Sequence, residues 1–228
     1  MLAIFRKELL SYFDTKIAWI FTVIFVLLAN FITFAPNHTL EANIASLDMF
    51  FELVPWLYCL LLPALSMSLF ADEIKKGSLE VLFSLPISTR DIVLGKFSAA
   101  WAFTGICLVL TMNMWVSLNI LGEPDNLLIA SSYLAAFLLA GSLLAVGINL
   151  SVLTKSQTIA FILNALIIIA LLFLGSVKQL DFLSLFDFLP AYMTMISGLI
   201  KISDLVFFFT LGALGLISAA VLLEGKKL

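Results

Sequence analysis

The chain has 228 residues, of which 63% are hydrophobic and 12% charged, and its formal net charge is -3. A soluble domain carries about twice that charged fraction, so the composition excludes an ordinary soluble protein and favours a membrane protein. The acidic balance also argues against a partner made of nucleic acid.

Residues 1–16 predict an amphipathic helix that lies in the plane of the membrane interface. Its apolar residues recur at three- and four-residue steps: Leu2, Phe5, Leu9 and Phe13. Charged residues lie between them, and this alternation is typical of interfacial helices. The apolar run that follows is too long for a signal-peptide core, so we expect an uncleaved anchor.

Six apolar stretches follow, each near or above the ~20 residues that cross a bilayer. They cover residues 17–35, 53–71, 97–121, 127–153, 156–177 and 205–223. Within lipid each must be helical, because only a helix or a closed barrel satisfies its own backbone groups. The sequence therefore predicts one all-α transmembrane domain with six spans over residues 1–228.

The basic residues predict the orientation of these spans. If the N-terminus is cytoplasmic, only Lys178 and Lys201 of the twelve Lys and Arg residues fall outside. Cytoplasmic loops carry the excess of basic residues, so we expect both termini in the cytoplasm.

Residues 178–204 form an apolar segment that is interrupted by Asp181, Asp187 and Pro190. Two interpretations stay open for it. It is either a shallow re-entrant or interfacial piece on the outer face, or an amphipathic loop that rests on the bundle.

The longest predicted cytoplasmic loop covers residues 72–96. Gly77 can end the helix that descends from the second span, and Ser78 can cap a short helix. Leu79, Leu82 and Phe83 share one face of that helix. Leu85 and Pro86 end it, since the residue before a proline disfavours the α region.

The same loop contains a signal for the start of the third span helix. Ser88 and Asp91 have the spacing of a capping box. The short helix between two span ends can therefore act as a lever if a partner grips it. The alternative is a plain connection in the headgroup region.

The span interiors contain no Asp, Glu, Lys, Arg or His, so proton relay is poorly supported. We expect the polar residues there to form hydrogen bonds between helices. They are Asn30, Thr104, Thr111, Asn113, Asn119, Asn149 and Asn164.

No candidate catalytic, cofactor or metal site is evident in the sequence. Gly95 and Lys96 lack both the upstream Gly and the following Ser or Thr of a phosphate loop. His38 is the only histidine, and no Cys/His cluster exists. An enzyme is the weaker class, and the energy is expected to come from outside the chain.

Residues 73–96, EIKKGSLEVLFSLPISTRDIVLGK, resemble the cytoplasmic signature of type 2 ABC exporter permeases. The landmarks of that signature are a Glu, then Gly-Ser/Thr-Leu-Glu, then Leu-Pro and a closing Gly-Lys. The FRKEL helix, the six-span layout and Phe-Leu-Pro in the last outer loop fit the same family. The opening and residues 56–85 are most similar to the gliding-motility-associated permease and its relatives in bacteria that do not glide.

The resemblance implies roles for two groups of residues. Phe5, Arg6, Lys7 and Glu8 would belong to an interfacial elbow helix. The residues that couple to an ATPase would be Glu73, Gly77, Ser78, Leu79, Glu80, Leu82, Phe83, Leu85 and Pro86. Residues 178–204 would form the outer re-entrant segment.

The resemblance also implies partners. Two permease subunits, identical or related, would form the path in a bacterial inner membrane, and a separate cytoplasmic ATPase would bind ATP and Mg. Gliding relatives add a membrane protein with an extracytoplasmic domain. The alternatives are a membrane-embedded scaffold or assembly factor without transport and, with less support, an ion-coupled secondary transporter.

Overall fold

The computed structural model describes residues 1–34, 46–84, 86–174 and 187–226. All regular structure in these ranges is α-helical. The helices are α1 Leu2–Asp14, α2 Lys16–Thr33, α3 Asp48–Ser66, α4 Ala71–Lys76, α5 Ser78–Ser84, α6 Thr89–Leu121, α7 Asn126–Leu153, α8 Gln157–Phe173, α9 Leu189–Ile196 and α10 Ile202–Glu224. The predicted all-α class is therefore confirmed for the described part of the chain.

Five helical segments in these ranges are long and apolar enough to cross a membrane. They are Lys16–Thr33, Asp48–Lys76, Thr89–Ile120, Asn126–Leu153 and Ile202–Glu224. The predicted fifth span corresponds to α8, which has 17 residues and a rise of about 25 Å, the lower limit for a span. Five spans are thus supported by length, and the sixth stays a prediction.

Helix α7 is the centre of the bundle. It is apolar all round and contacts α3, α4, α6, α8, α9 and α10. Its closest neighbour is α10, where a Cβ added at Gly215 would lie 2.8 Å from the backbone of Ala145. Small residues let two helix backbones approach in this way, and the resulting contact area is the main source of packing energy in lipid.

Polar side chains connect neighbouring helices of the apolar bundle. Asn149 donates to the Gly215 carbonyl at 2.9 Å, and Asn164 donates to Ser66 Oγ at 2.6 Å. Asn113 donates to Asn30 at 2.9 Å, and the hydroxyls of Thr111 and Tyr133 lie 3.1 Å apart. By contrast, Thr104 and Asn119 bond to carbonyls of their own helix. The prediction of interhelical hydrogen bonds is confirmed for five of the seven named residues.

The eight-residue helix α9 lies at the end of the bundle opposite α5. Its rise of about 12 Å is too short to cross a membrane. Phe188, Tyr192 and Met195 are fully buried, and the Tyr192 hydroxyl donates to the Phe51 carbonyl at 2.6 Å. Helix α9 is therefore packed against the bundle, whereas residues 197–203 that follow it are exposed. Residues 178–186 lie outside the described ranges.

Candidate functional site

The second predicted span breaks before it leaves the bundle. Helix α3 ends at Ser66, and α4 begins at Ala71 after a turn. Ser151 of α7 accepts hydrogen bonds from the Phe70 N–H at 3.0 Å and the Ala71 N–H at 3.2 Å. Its hydroxyl donates to the Met67 carbonyl at 3.1 Å. One side chain thus satisfies backbone groups that a helix break would otherwise leave unpaired.

Gly77 ends α4 in the left-handed conformation, with a φ of 70°. This agrees with the sequence prediction, because a residue with a Cβ is strained there. The predicted capping role of Ser78 differs from the observed one. Ser78 is the first residue of α5, and its hydroxyl donates to the Glu73 carbonyl at 3.5 Å, which belongs to α4.

Helix α5 has one face against the bundle and one face in solvent. Leu79 is buried, and Leu82 and Phe83 are half-buried against the core, as the predicted face requires. Ser78 and Glu80 are exposed. The helix ends at Ser84, directly before Leu85, which lies outside the described residues, and the exposed Pro86.

Helix α6 begins at Thr89, eight residues before the predicted start of the third span. Ser88 accepts from the Asp91 N–H at 3.1 Å, so the first half of the predicted capping box is confirmed. The Ser88 hydroxyl also donates to the Asp91 carboxylate at 2.6 Å. The span therefore has a firm helical start directly after the α5 segment.

Four charged residues from α1, α4 and α6 lie close together. We call them the Lys96 cluster: Lys7, Glu8, Glu73 and Lys96. The Lys96 ammonium lies 2.9 Å from Glu73 Oε1 and 3.0 Å from Glu8 Oε1. Lys7 lies 3.3 Å from Glu8 and 3.7 Å from Glu73. Only 2% of the Lys96 side chain is exposed, and its ammonium is 5.1 Å from the centre of the Phe70 ring. The buried Lys96 is thus paired with two carboxylates, and the exposed Lys7 brings a second positive charge to them.

The Lys96 cluster borders a cavity of about 310 Å³ that is lined by polar and apolar residues of α1 to α6 and the start of α8. Glu73 Oε2 is buried there without a partner among the described residues, and the cavity is large enough to hold water that could reach it. Partial burial alone would lower the pKa of Lys7, but Glu8 and Glu73 outweigh it and raise that pKa.

Helix α1 is fixed to α6 by a glycine and to α3 by a tyrosine. A Cβ at Gly95 would lie 3.0 Å from Ile4, so glycine lets the two helices meet. The Tyr12 hydroxyl donates to the Leu65 carbonyl at 2.7 Å. Burial, with a smaller effect of Glu8, raises the pKa of Tyr12, which therefore keeps its donor proton.

The predicted apolar stripe of α1 coincides only in part with the buried face. Ile4 and Tyr12 are buried, Phe5 and Leu9 are half-buried against the core, and Leu2 and Phe13 are exposed. The physical reason is that Glu8 must point inward to reach Lys96, which turns positions 4, 8 and 12 toward the bundle. Leu2 and Phe13 remain available for contact with lipid.

The structure brings together some of the predicted residues and leaves others apart. Lys7, Glu8 and Glu73 meet at Lys96, while Arg6 and Glu80 are exposed and outside the cluster. Sequence reasoning missed Lys96 and Ser151 as site residues. The partners of Lys96 are 88 and 23 residues away, so no local periodicity could have indicated them. Two features pointed to Lys96: it lies at the edge of a long apolar run, and it is the last residue of the closing Gly-Lys in the resemblance.

Comparison with known families decides the class of this assembly of helices. The profile described as "ABC-2 family transporter protein" matches residues 2–224. The chain belongs to the ABC-2 transporter family. No curated protein matches it.

Membership explains the apolar helices in functional terms. This ABC-2 protein is a multi-pass membrane protein and a permease component of an ABC transporter. In general, such components work with an ATPase partner and are not themselves catalytic.

Proposed function

We propose that this chain is the permease subunit of an ATP-driven exporter, that it dimerises to form the translocation path, and that a separate cytoplasmic ATPase docks on α5. ATP and Mg would then be held by the ATPase. In this proposal, both termini lie in the cytoplasm of a bacterial cell. The second permease subunit, identical or related, lies in the same inner membrane.

The proposal is supported chiefly by the contacts that connect α5 to the rest of the bundle. Its outer face is exposed at Ser78 and Glu80, while Leu79 holds its inner face on the bundle. On one side it follows α4, whose Glu73 pairs with Lys96 of α6 and lies close to Lys7 of α1. On the same side, Ser151 ties the start of α4 to α7. A force on α5 therefore reaches α1, α6 and α7 through short polar contacts.

The burial of their side chains also indicates what Leu79 and its neighbours contribute to α5. Leu79 is buried under α5, and Leu82 and Phe83 are half-buried, so they support the helix from below. Glu80, Ser78 and Pro86 are the residues on which a partner can rest. A mutation at Leu79 would disturb the fold as well as docking, so it is a poor test.

Reversal of an exposed charge is the sharper test. The variant Glu80→Lys should lose most of the ATPase that co-purifies with the wild-type chain, at unchanged membrane insertion. Asp14→Lys is the matched control, because Asp14 is also an exposed acid but lies at the end of α1. Equal co-purification by both variants would contradict docking on α5.

Two other functions predict different results with the same reconstituted chain. A scaffold would bind partners without changing the rate of ATP hydrolysis by the ATPase. An ion-coupled transporter would drive uptake from an ion gradient with no ATPase present. The proposed permease should instead change the ATP hydrolysis rate in wild-type form and fail to do so as Glu80→Lys.

The subgroup is a further part of the proposal. The family match covers ABC-2 transporters as a whole, so kinship with the gliding-motility-associated permease depends on residues 1–16 and 56–85 alone. If that kinship holds, a membrane protein with an extracytoplasmic domain should co-purify with the chain.

A further inference from the structure

A long groove runs between α6 and α10 on the surface of the bundle, away from the Lys96 cluster. Two adjoining cavities of about 360 Å³ and 260 Å³ form it, and both are lined by Leu216. Helix α6 lines the groove with residues one turn apart, Arg90, Val93, Leu94, Phe97 and Trp101. Gly141 and Ser142 of α7 form part of its floor.

The length of the groove along α6 matches the thickness of one leaflet of the hydrocarbon layer. From Arg90 to Trp101, α6 rises by about 16 Å. One half of a ~30 Å hydrocarbon layer is about 15 Å. The walls are apolar over this length, and the charged residues occur only at one end.

That end carries two opposite charges, Arg90 in the first turn of α6 and Glu224 at the last residue of α10. Neither side chain has a hydrogen bond or ion-pair partner among the described residues, and they do not pair with each other. Lys226, two residues from Glu224, donates to the Val152 carbonyl instead. An unpaired cation and an unpaired anion therefore flank the mouth of an apolar groove.

We propose that this groove binds one phospholipid whose zwitterionic headgroup carries a primary ammonium, the phosphoethanolamine class. The phosphate lies at the Arg90 guanidinium, whose planar fork suits phosphate oxygens. The ammonium donates to the Glu224 carboxylate. One acyl chain lies along the groove between Phe97 and Gly212.

The glycines of α10 distinguish this groove from the packed interface beside it. A Cβ at Gly212 would meet only Ser142 Cα, at 3.9 Å, which is ordinary contact. A Cβ at Gly215 would lie 2.8 Å from the Ala145 backbone. Gly212 thus marks open floor, and a larger side chain there fills the groove without separating α10 from α7.

Native mass spectrometry of the full chain tests the proposal. The chain is purified from nanodiscs with equal parts of phosphatidylethanolamine, phosphatidylcholine and phosphatidylglycerol. We expect one phosphatidylethanolamine molecule to be retained in preference to the other two lipids. Glu224→Gln should reduce that preference about tenfold, because a neutral amide oxygen replaces the charged acceptor of the ammonium. Arg90→Gln should reduce retention of any phospholipid.

Two variants on α10 separate the groove from general contact with lipid. Gly212→Leu should abolish the retained lipid while the melting temperature stays near that of the wild type. Leu214→Trp is the control, because Leu214 is exposed but does not line the groove. Retention of all three lipids in proportion to their supply, or equal loss in both variants, would overturn the proposal. The proposal would also be overturned if the Gly212→Leu variant kept its lipid but lost a protein partner. The groove would then be the binding site of a helix from that partner.

Discussion

The ammonium of Lys96 lies 2.9 Å from the carboxylate of Glu73, and these two residues stand on either side of α5 in the chain. Their contact, between residues 23 positions apart, closes the stretch that contains α5 into a loop with both ends fixed. Because Lys96 is on α6 and Glu73 is on α4, the ion pair links the helices that precede and follow α5.

Removal of the Lys96 charge should be strongly destabilising. Lys96→Met keeps the apolar stem but leaves Glu8 and Glu73 with the exposed Lys7 alone, and a broken buried pair costs about 3 kcal/mol or more. The measurement is thermal unfolding in detergent. Lys75→Met, at an exposed lysine of α4, is the control and should change little.

The double variant Lys96→Met with Glu73→Gln checks that the effect is pairwise. It should lose less stability than the sum of the two single variants, because residues in one ion network do not act independently. Strict additivity would contradict the coupling between the two residues. A Lys96→Met variant as stable as Lys75→Met would show that the Lys96 cluster contributes nothing to the fold.

Ser151→Ala should loosen the break between α3 and α4. It leaves the Phe70 and Ala71 N–H groups buried without their acceptor, at a cost of about 1–3 kcal/mol. Hydrogen exchange of residues 67–71 should become faster, as mass spectrometry can detect. Ser131→Ala is the control, since the Ser131 hydroxyl donates only within α7. Equal hydrogen exchange in both variants would show that Ser151 does not stabilise the break between α3 and α4.

The loss of stability on substitution of Gly77 should depend on backbone conformation and not on side-chain volume. Nothing lies within 4 Å of a Cβ built there, but the φ of 70° is strained for most residues. Gly77→Asn should therefore cost less than Gly77→Ala, and Gly77→Val should cost about 1–2 kcal/mol or more. ATPase co-purification and melting temperature should both keep this order. An Ala variant better than Asn would argue that the left-handed turn is not maintained.

Alkaline pH should release Lys7 from the Lys96 cluster. Its pKa is raised above 10.5 in the folded chain, so its contribution is complete below 10.5 and is lost as pH rises through the folded pKa. The contribution is about 0.5 kcal/mol or less because the side chain is mostly exposed. The measurement compares wild type with Lys7→Gln, so that other titrating groups cancel. A difference that disappears below pH 10 would contradict the assignment.

Local features of the fold were predictable because their causes are local. The end of α4 at Gly77, the inner face of α5 and the Ser88 cap each depend on residues within four positions of one another. The apolar runs likewise define most helices, since hydrocarbon permits little else. Their bounds differ by several residues, because α6 continues beyond the apolar run into the charged segment.

The candidate site was less predictable because its contacts are remote in sequence. Lys96 and Ser151 acquire their roles from residues 23 to 88 positions away. The sequence predicted the amphipathic character of α1 but not which of its residues face the bundle, and the inward Glu8 decides that. Hydrophobic periodicity contains no information about a charged residue that is buried by an ion pair.

Photo-crosslinking from α5 tests the central claim most directly. A photoreactive residue replaces Glu80 in the full complex, and a second complex carries it at Asp14. The account predicts a cross-link from position 80 to an ATP-binding subunit and none from position 14. An intact complex in which position 80 gives no product with the ATPase, or in which both positions give the same product, would contradict it.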